Sequence, residues 1–291
     1  MKKTKEYIIF NIFAITIATL FAIVCILPIL YTISGSFTSE RELYRGLSLI
    51  PREFSLEAYK LVLKNPADML NAYKITILLV VVGTALSIIL VTMTSYVLYR
   101  KDFKYRNICT FYLFFTTLFS GGMVPIYILM SELHLRNTFA VLVLSGVFSV
   151  FNVIVARTYF TSNIPISLVE SAKIDGANDF TIYLKIVLPS ATPIIATVGL
   201  LVALGYWNDW RTSMLYLNDK NLYPLQYYLY QIFQTAEMQQ QMAEVGLSTQ
   251  QLPKEGYKLA MTVFTMGPVV LFYPFVQKYF VSGMTIGAVK E

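Results

Sequence analysis

An all-α membrane protein with six transmembrane helices and both termini in the cytoplasm is predicted by three features of this sequence. The first is composition, because 56% of the 291 residues are hydrophobic and only 14% are charged, whereas soluble domains carry about 25% charged residues. The second is a set of six charge-free runs, each near or above the roughly 20 residues that a helix needs to cross the hydrocarbon core. The third is the distribution of Lys and Arg beside those runs.

The runs predict a single transmembrane domain over 1–291. The N-terminal "MKKTKEY" begins like a signal peptide, but the charge-free run that follows extends from Tyr7 to Ser39. That is longer than the roughly 7–15 apolar residues of a signal peptide, so we interpret it as a retained first span. The predicted spans cover about 7–33, 75–99, 107–131, 137–156, 186–208 and 259–277.

The basic residues predict the orientation of these spans. With the N-terminus inside, the predicted cytoplasmic segments carry Lys and Arg at about twice the density of the predicted outer segments, as the positive-inside rule requires. The segment "RKDFKYR", 100–106, is the clearest cytoplasmic loop. This orientation places 157–185 in the cytoplasm and makes 209–258 a long extracytoplasmic loop.

The sequence lacks the residues that several classes of membrane protein need for their function. The six runs contain no Asp, Glu, Lys, Arg or His, which argues against a proton- or sodium-coupled carrier. There is no G-x-S-x-G or H-E-x-x-H motif, and one His with two scattered Cys gives no zinc site. A few polar residues remain in the runs and serve either in interhelical hydrogen bonds or in a pathway: Asn11, Thr84, Thr92 and Asn152.

The chain also lacks G-x-x-x-x-G-K-[ST], the loop that binds nucleotide phosphates. Uphill transport would therefore need a motor on another chain, acting from the cytoplasm. The polar segment "ESAKIDGANDFTIYLKIVLP", 170–189, is the candidate for its docking site. Ser167 and Glu170 fit a capping box, which predicts a short helix starting near Leu168. Gly176 lies either on the same helical face as Ala172 or in an Asp-Gly turn, and Pro189 and Pro193 predict an irregular start of the fifth span.

This segment resembles the "EAA" loop of ABC importer permeases, E-A-A, three residues, G, nine residues, I-x-L-P. The matching residues are Glu170, Ala172, Gly176, Ile186, Leu188 and Pro189. Asp175 and Ala177 extend the match to carbohydrate permeases, while Ser171 departs from the usual second Ala. The resemblance covers essentially the whole chain through "SGGMVPIYILM", "GYWNDW" and "YPFVQKYFVSGMTIGAVKE". These resemble the maltose-type family, and in particular its branch proposed to import oligo- or polysaccharides, which includes alginate-type systems.

The resemblance implies a type I ABC importer permease fold and a transport subunit that is not an enzyme. It implies a second homologous permease subunit, two ATPase subunits that hold ATP and Mg, an extracytoplasmic solute-binding protein, and location in a bacterial inner membrane. It also implies that the EAA helix docks on the ATPase, through Glu170, Ser171, Ala172, Asp175, Gly176 and Ala177. The C-terminal tail is a further ATPase contact in this family, here through Gly283, Gly287 and Ala288.

The resemblance places the solute-binding protein against 209–258, for which a self-packed lid is the alternative. "SGGMVP" is expected to interrupt the third span, since irregular backbone at membrane depth is tolerated where it lines a cavity or is buried. The tryptophans of "GYWNDW" are either interfacial anchors or pathway residues. The candidate pathway residues are Gly121, Gly122, Asn152, Trp207, Asn208 and Asp209. Two alternative functions stay open, an ABC permease for a non-sugar solute and a membrane assembly or regulatory protein without its own pathway.

Overall fold

The computed structural model describes residues 5–46, 48–64, 66–244 and 255–285. Every regular element in these ranges is helical, and the one extended pairing they contain is an isolated bridge between Thr38 and Phe54. The all-α prediction is confirmed. The helices are α1 (Lys5–Ser36), α2 (Glu40–Leu43), α3 (Glu57–Val62), α4 (Pro66–Tyr99), α5 (Arg106–Leu118), α6 (Met123–Glu132), α7 (Phe139–Gly146), α8 (Val150–Asn163), α9 (Ile166–Ile174), α10 (Asp179–Ile182), α11 (Leu188–Ser190), α12 (Thr192–Asn208), α13 (Arg211–Tyr216), α14 (Leu225–Glu244) and α15 (Glu255–Thr285). A π-helical turn (Tyr183–Val187) precedes α11, and a 3₁₀ turn (Lys220–Leu222) precedes α14.

Within the described ranges, two single helices are long and apolar enough to cross a membrane, α1 and α4. Three bent pairs bring the number to five if each pair is one span: α5 with α6, α7 with α8, and the segment Asp179–Ser190 with α12. The sixth predicted run, 259–277, lies on α15, whose side chains beyond Leu271 are outside the described part.

The expected interruption of the third span is present. α5 ends at Leu118, α6 begins at Met123, and the two axes meet at 113°. Gly122 between them has a φ of 87°, a left-handed conformation that glycine adopts without the steric cost of a side chain. The 47° bend between α7 and α8 was not predicted, because 137–156 reads as one continuous apolar run.

The start of the fifth span is irregular, as its prolines predict. The π-helical turn is followed by the three-residue α11, and the axis then turns by 83° into α12. Pro189 lies in α11 and Pro193 in the first turn of α12. A proline has no N–H to donate, so it is tolerated in the first turn of a helix, where that group has no partner within the helix.

Two compact units divide the chain, and the first comprises residues up to 67 together with 229–268. In this unit the Phe37 ring stacks on Phe54 and on Tyr59, with centroids 5.6 and 4.8 Å apart. The carboxylate of Glu40 accepts hydrogen bonds from the backbone N–H groups of Glu255 (2.8 Å) and Gly256 (3.1 Å). Glu40 therefore caps the N-terminus of α15, where the first N–H groups have no partner within the helix.

The second unit comprises 68–228 and 269–291. Its core contains Leu79, Leu142, Phe160, Ile182, Val187 and Val198, each at most 2% exposed. Helical hydroxyls bond the carbonyl four residues back, as in Thr92 to Ile88 and Ser95 to Val91. Thr92 also makes the interhelical bond expected of it, while the buried Thr84 hydroxyl has no hydrogen-bond partner among the described residues.

A tyrosine joins three helices of this second unit. Tyr206 near the end of α12 is 4% exposed, and its hydroxyl donates to the Val143 carbonyl of α7 at 2.6 Å. Gly83 of α4 and Gly146 of α7 face the ring so closely that a Cβ there would lie 2.4 and 2.9 Å from its atoms. The ring therefore requires glycine at both positions.

Candidate functional site

The resemblance points to the segment between α8 and α12, and its first part differs from the sequence prediction. α8 continues to Asn163, and α9 begins at Ile166 with Pro165 as its N-cap, not near Leu168. The capping-box prediction is wrong, because Ser167 already lies inside the helix. Proline fixes φ near −65° and suits the first turn, and Pro165 with φ −60° starts α9 two residues earlier.

Gly176 lies in a turn and not in a helix, which settles the two alternatives. α9 ends at Ile174, and Gly176 has a φ of 82°. The Ala177 N–H donates to the Ala172 carbonyl at 2.9 Å, and the Gly176 N–H donates to the Lys173 carbonyl at 3.0 Å. This is a Schellman motif, in which a left-handed residue, usually Gly, ends a helix. Gly176 therefore does not share a helical face with Ala172.

The segment has a buried side and an exposed side. Val169 and Ala172 are 2% and 9% exposed and pack in the core of the second unit. Glu170, Ser171, Asp175 and Gly176 are exposed, and Ala177 is half-buried. Exposed apolar side chains lie beside them, and Ile174 is the most exposed large apolar residue described, at 86%. A contiguous exposed apolar patch marks a surface that meets another protein or a membrane, whereas a single exposed apolar side chain is common.

Four charged residues tie this segment to the end of α4. Arg100 donates from Nε and Nη2 to the two carboxylate oxygens of Asp102, at 2.8 and 2.5 Å, and from Nη1 to Asp179 at 2.6 Å. Lys173 of α9 donates to Asp102 at 2.6 Å and lies 3.8 Å from Asp179. Arg100 also donates to the Tyr96 hydroxyl at 2.7 Å. We call these four charged residues, Arg100, Asp102, Lys173 and Asp179, the charge cluster.

The charge cluster stabilises the charged forms of Asp102 and Arg100. The hydrogen bond from Arg100, with a second from Lys173, holds the pKa of the Asp102 carboxyl well below its usual range. The hydrogen bond to Asp102 raises the pKa of the Arg100 guanidinium above its usual value, against the opposing effect of burial. Two cations face two carboxylates, so the cluster is neutral overall.

The candidate pathway residues fall in three places. Gly121 and Gly122 lie in the break between α5 and α6, and Asn152 is buried in α8 at 6% exposure. Trp207, Asn208 and Asp209 end α12, where the Asp209 carboxylate accepts from the Thr212 N–H at 3.0 Å and so stabilises the start of α13. Asn208 is exposed and accepts from the Gln226 side-chain amide at 3.2 Å.

The region 209–258 contains helices as far as it is described. α13 and α14 lie in it, and α14 presents a cleft lined by Gln231, Gln234, Met238 and Gln241, among others. For the predicted tail contacts, Gly283 lies in the last turns of α15, whereas Gly287 and Ala288 lie outside the described residues.

Sequence reasoning missed the charge cluster and the exposed Ile174. Arg100 contributed only to the count of basic residues, and the sequence left open whether Lys173 and Asp179 share the docking contact or are solvated. One signal was available, since Arg100 directly follows 25 charge-free residues and a cation that close to a span end requires partners if it is buried. No local pattern names those partners, because Arg100 and Asp179 are 79 residues apart.

Known proteins match this chain over nearly its whole length. The family model described as "Binding-protein-dependent transport system inner membrane component" matches residues 83–286. The chain is similar to the polygalacturonan/rhamnogalacturonan transport system permease protein YtcP of Bacillus subtilis (strain 168), at 40% identity over 93% of this chain and 94% of that protein. It is also similar to protein LplC of that organism, at 37% identity over 100% and 98%.

A solved structure is similar as well, that of a bacterial ABC transporter involved in the import of the acidic polysaccharide alginate. The TM-score is 0.82 at 31% identity, covering 95% of this chain and 98% of that chain. The family match includes the whole segment from α8 to α12 and the charge cluster.

Proposed function

Since this chain belongs to the family of binding-protein-dependent transport system inner membrane components, we propose that it carries oligosaccharides into a bacterial cell as one permease subunit of an ATP-driven importer. It is a multi-pass inner-membrane transport subunit with a type I ABC permease-like fold, and it is not an enzyme. The substrate class is supported by its relatives, which include a polygalacturonan/rhamnogalacturonan permease and part of an alginate importer.

Permeases of this family work with an ATPase and a solute-binding protein. In the proposed importer this chain pairs with a second, homologous permease, and two ATPase subunits hold ATP and Mg²⁺. This chain then contributes no cofactor of its own. Its six spans have both termini in the cytoplasm, and the pair alternates between access from outside and from inside.

The observation that carries the coupling proposal is the exposed surface of α9 and its Schellman turn. Glu170, Ser171, Asp175 and Gly176 face solvent beside the exposed Ile174, and this surface docks on the ATPase. Ala172 contributes differently from the others, because its side chain packs into this chain's own core. Gly176 is needed first for its left-handed backbone, and the open space around it leaves room for the partner.

The remaining contacts are proposed from their positions. The C-terminal tail, with Gly283, Gly287 and Ala288, is a second ATPase contact. The glutamine-lined cleft of α14 meets the solute-binding protein, because side-chain amides supply both hydrogen-bond donors and acceptors. The proposed pathway residues are Gly121, Gly122, Asn152, Trp207, Asn208 and Asp209, of which Trp207 offers an aromatic face to a sugar ring and Asn208 an exposed amide.

A bulky residue at Gly176 tests the docking. The importer is assembled in proteoliposomes with its partner subunits and binding protein, and substrate-stimulated ATP hydrolysis and oligosaccharide uptake are measured. Gly176→Trp should abolish both while the protein still inserts. Gly46→Trp is the matched control, because Gly46 is also exposed, has a φ of 106° and has open space around it, but lies in the predicted outer loop.

Equal substrate stimulation of ATP hydrolysis in Gly176→Trp and Gly46→Trp would rule out docking at Gly176. Gly176→Asn separates backbone strain from contact, since Asn tolerates the left-handed conformation. It should be better inserted and folded than the Trp variant and still couple poorly. Uptake of labelled galacturonan, alginate and arabinan oligosaccharides, with amino acids as competitors, tests the substrate class, and competition only by amino acids would refute it.

A further inference from the structure

We call residues 164–183, which include α9 and its Schellman turn, the docking segment. It is attached to α4 at both of its ends. At the first end, the Tyr99 hydroxyl donates to the Ile164 carbonyl at 2.8 Å, just before α9. At the second end, Arg100 binds Asp179, and the Thr92 and Tyr183 hydroxyls are hydrogen-bonded at 2.7 Å. One helix therefore holds both the entry and the exit of the segment.

The residues that make these bonds form a stripe on α4 and the residue after it. Thr92, Tyr96, Tyr99 and Arg100 are spaced four, three and one apart, which places them along one helix face in its last two turns. We call them the polar stripe. Thr92, Tyr99 and Arg100 each bond the docking segment, at Tyr183, Ile164 and Asp179, and these hydrogen bonds are buried or partly buried. Tyr96 supports the stripe from within, because its hydroxyl accepts from Arg100.

Arg100 is the residue on which the most bonds converge. Its side chain is 7% exposed, against 55% for Asp102 and 65% for Asp179. It makes four hydrogen bonds, which use the planar fork of the guanidinium in a way that a lysine ammonium does not reproduce. Removing this buried cation breaks the bond to Asp179 and leaves Lys173 as the one cation of the charge cluster facing Asp102 and Asp179. The second end of the segment then loses its ionic attachment to the end of α4.

When the ATPase displaces the docking segment, the displacement reaches the transmembrane helices only through rigid contacts between the segment and those helices. α9 is short, and a loop attached only by its two chain ends would absorb much of a displacement by changes in its backbone torsions. The charge cluster and the polar stripe instead bond the segment sideways to a helix of 34 residues. Near the middle of that helix, Gly83 packs against the Tyr206 ring. Tyr206 directly precedes the proposed pathway residue Trp207 in the sequence.

We propose that Arg100 is a positioning residue that makes the ATPase-docking segment and α4 move as one body, so that α4 carries the motor's displacement into the membrane. This rests on the proposed function, because it presumes that α9 docks on an ATPase. The role is in transmission and not in docking itself, since the Arg100 side chain is only 7% exposed, whereas Glu170, Ser171, Asp175 and Gly176 are exposed.

The test compares Arg100→Ala, Arg100→Lys and the control Lys101→Ala in the reconstituted importer. Lys101 is the exposed neighbour of Arg100, so its loss changes the loop charge equally. For Arg100→Ala we expect ATPase subunits to copurify as in wild type. The ratio of substrate-stimulated to basal ATP hydrolysis should fall at least about fivefold, the lower end of common coupling strengths, and solute moved per ATP should fall with it. Arg100→Lys should recover part of both, and Lys101→Ala should match wild type.

The outcomes separate this inference from the function on which it rests. A wild-type ratio in Arg100→Ala, with Gly176→Trp inactive, overturns the Arg100 role and leaves the docking intact. Wild-type ratios in both variants overturn the docking proposal itself. Loss of copurification in Arg100→Ala assigns Arg100 to docking or folding and overturns the transmission role.

If Arg100→Ala does not insert, Asp179→Asn decides, because the Asp179 side chain is 65% exposed and its substitution removes the charge that strengthens one bond to Arg100 without opening the core. A lowered ratio in an inserted, copurifying Asp179→Asn importer supports the proposal, and an unchanged ratio overturns it.

Discussion

Adding one methyl group at Gly83 should destabilise the second unit measurably. The new Cβ would lie 2.4 Å from Cε2 and 2.5 Å from Cζ of Tyr206. A flexible side chain could move away at little cost, but this ring is 4% exposed and hydrogen-bonded to Val143, and Gly146 closes its other side. The ring or α4 must therefore shift.

The magnitude follows from three contributions. Overpacking a tight core costs about 1–3 kcal/mol. Displacing the ring weakens the bond to Val143, worth about 1 kcal/mol. Alanine is favoured over glycine inside a helix by about 1 kcal/mol, which offsets the second contribution. We expect Gly83→Ala to lower the free energy of unfolding by about 1–3 kcal/mol, the overpacking cost that remains.

Thermal unfolding of the purified protein in detergent, followed by intrinsic fluorescence, measures this. Gly205→Ala is the matched control, since Gly205 precedes Tyr206 in α12 and a Cβ at Gly205 would point into space that no other described part of the chain fills. It should be neutral or slightly stabilising. In a Tyr206→Ala background, Gly83→Ala should be neutral or slightly stabilising, because the ring it strikes is gone and the helix preference for alanine remains. Equal stability of Gly83→Ala and Gly205→Ala would refute the argument.

Three further predictions concern bonds between distant parts of the chain. Glu40→Ala should lower thermal stability by about 0.5–2 kcal/mol, as other lost caps do, and should speed hydrogen exchange at the start of α15, with normal exchange there contradicting the cap. Asn137→Ala should cost about 1–3 kcal/mol, because Asn137 accepts from the Asn218 and Asp219 N–H groups at 2.9 and 2.8 Å and has a φ of 56°. Asn137→Gly, which keeps the backbone but not the bonds, should be nearly as unstable. Because the pKa of Asp102 is depressed, its contribution is present above about pH 4 and lost as the pH falls further. The stability gap to Asp102→Asn should therefore be constant from about pH 6 to 8 and shrink in acid, and a gap that changes near neutrality would contradict this.

Local chemistry predicted much of this fold. Apolar runs gave the helices, and glycine and proline marked both the break at Gly122 and the irregular start of α12. These features depend on residues that are neighbours in sequence, so their causes are visible there. The bend between α7 and α8 was missed because nothing in its apolar sequence distinguishes a bent helix from a straight one.

The position of the docking segment was predicted from the sequence, but the residues that attach it to α4 were not. The spacing from Glu170 to Pro189 located the docking segment, but the helix start was misplaced because Pro165 outweighed the Ser167 capping box. Arg100 was counted only as a basic residue of the predicted cytoplasmic loop 100–106. Its burial is decided by side chains that arrive from far along the chain, and pairings of that kind have no local sequence pattern.

Because the charge cluster is neutral, its basic residues have different electrostatic effects during membrane insertion and after folding. A basic residue orients a span while the chain is being inserted, before its folded partners exist. Once folded, Arg100 and Lys173 face Asp102 and Asp179 and no longer add positive potential at the membrane surface. In the predicted topology, the same cations orient the spans during insertion and are neutralised in the folded chain, where they no longer attract anionic lipid headgroups. Replacing both carboxylates with amides should leave the insertion orientation unchanged and create a new attraction for those lipids.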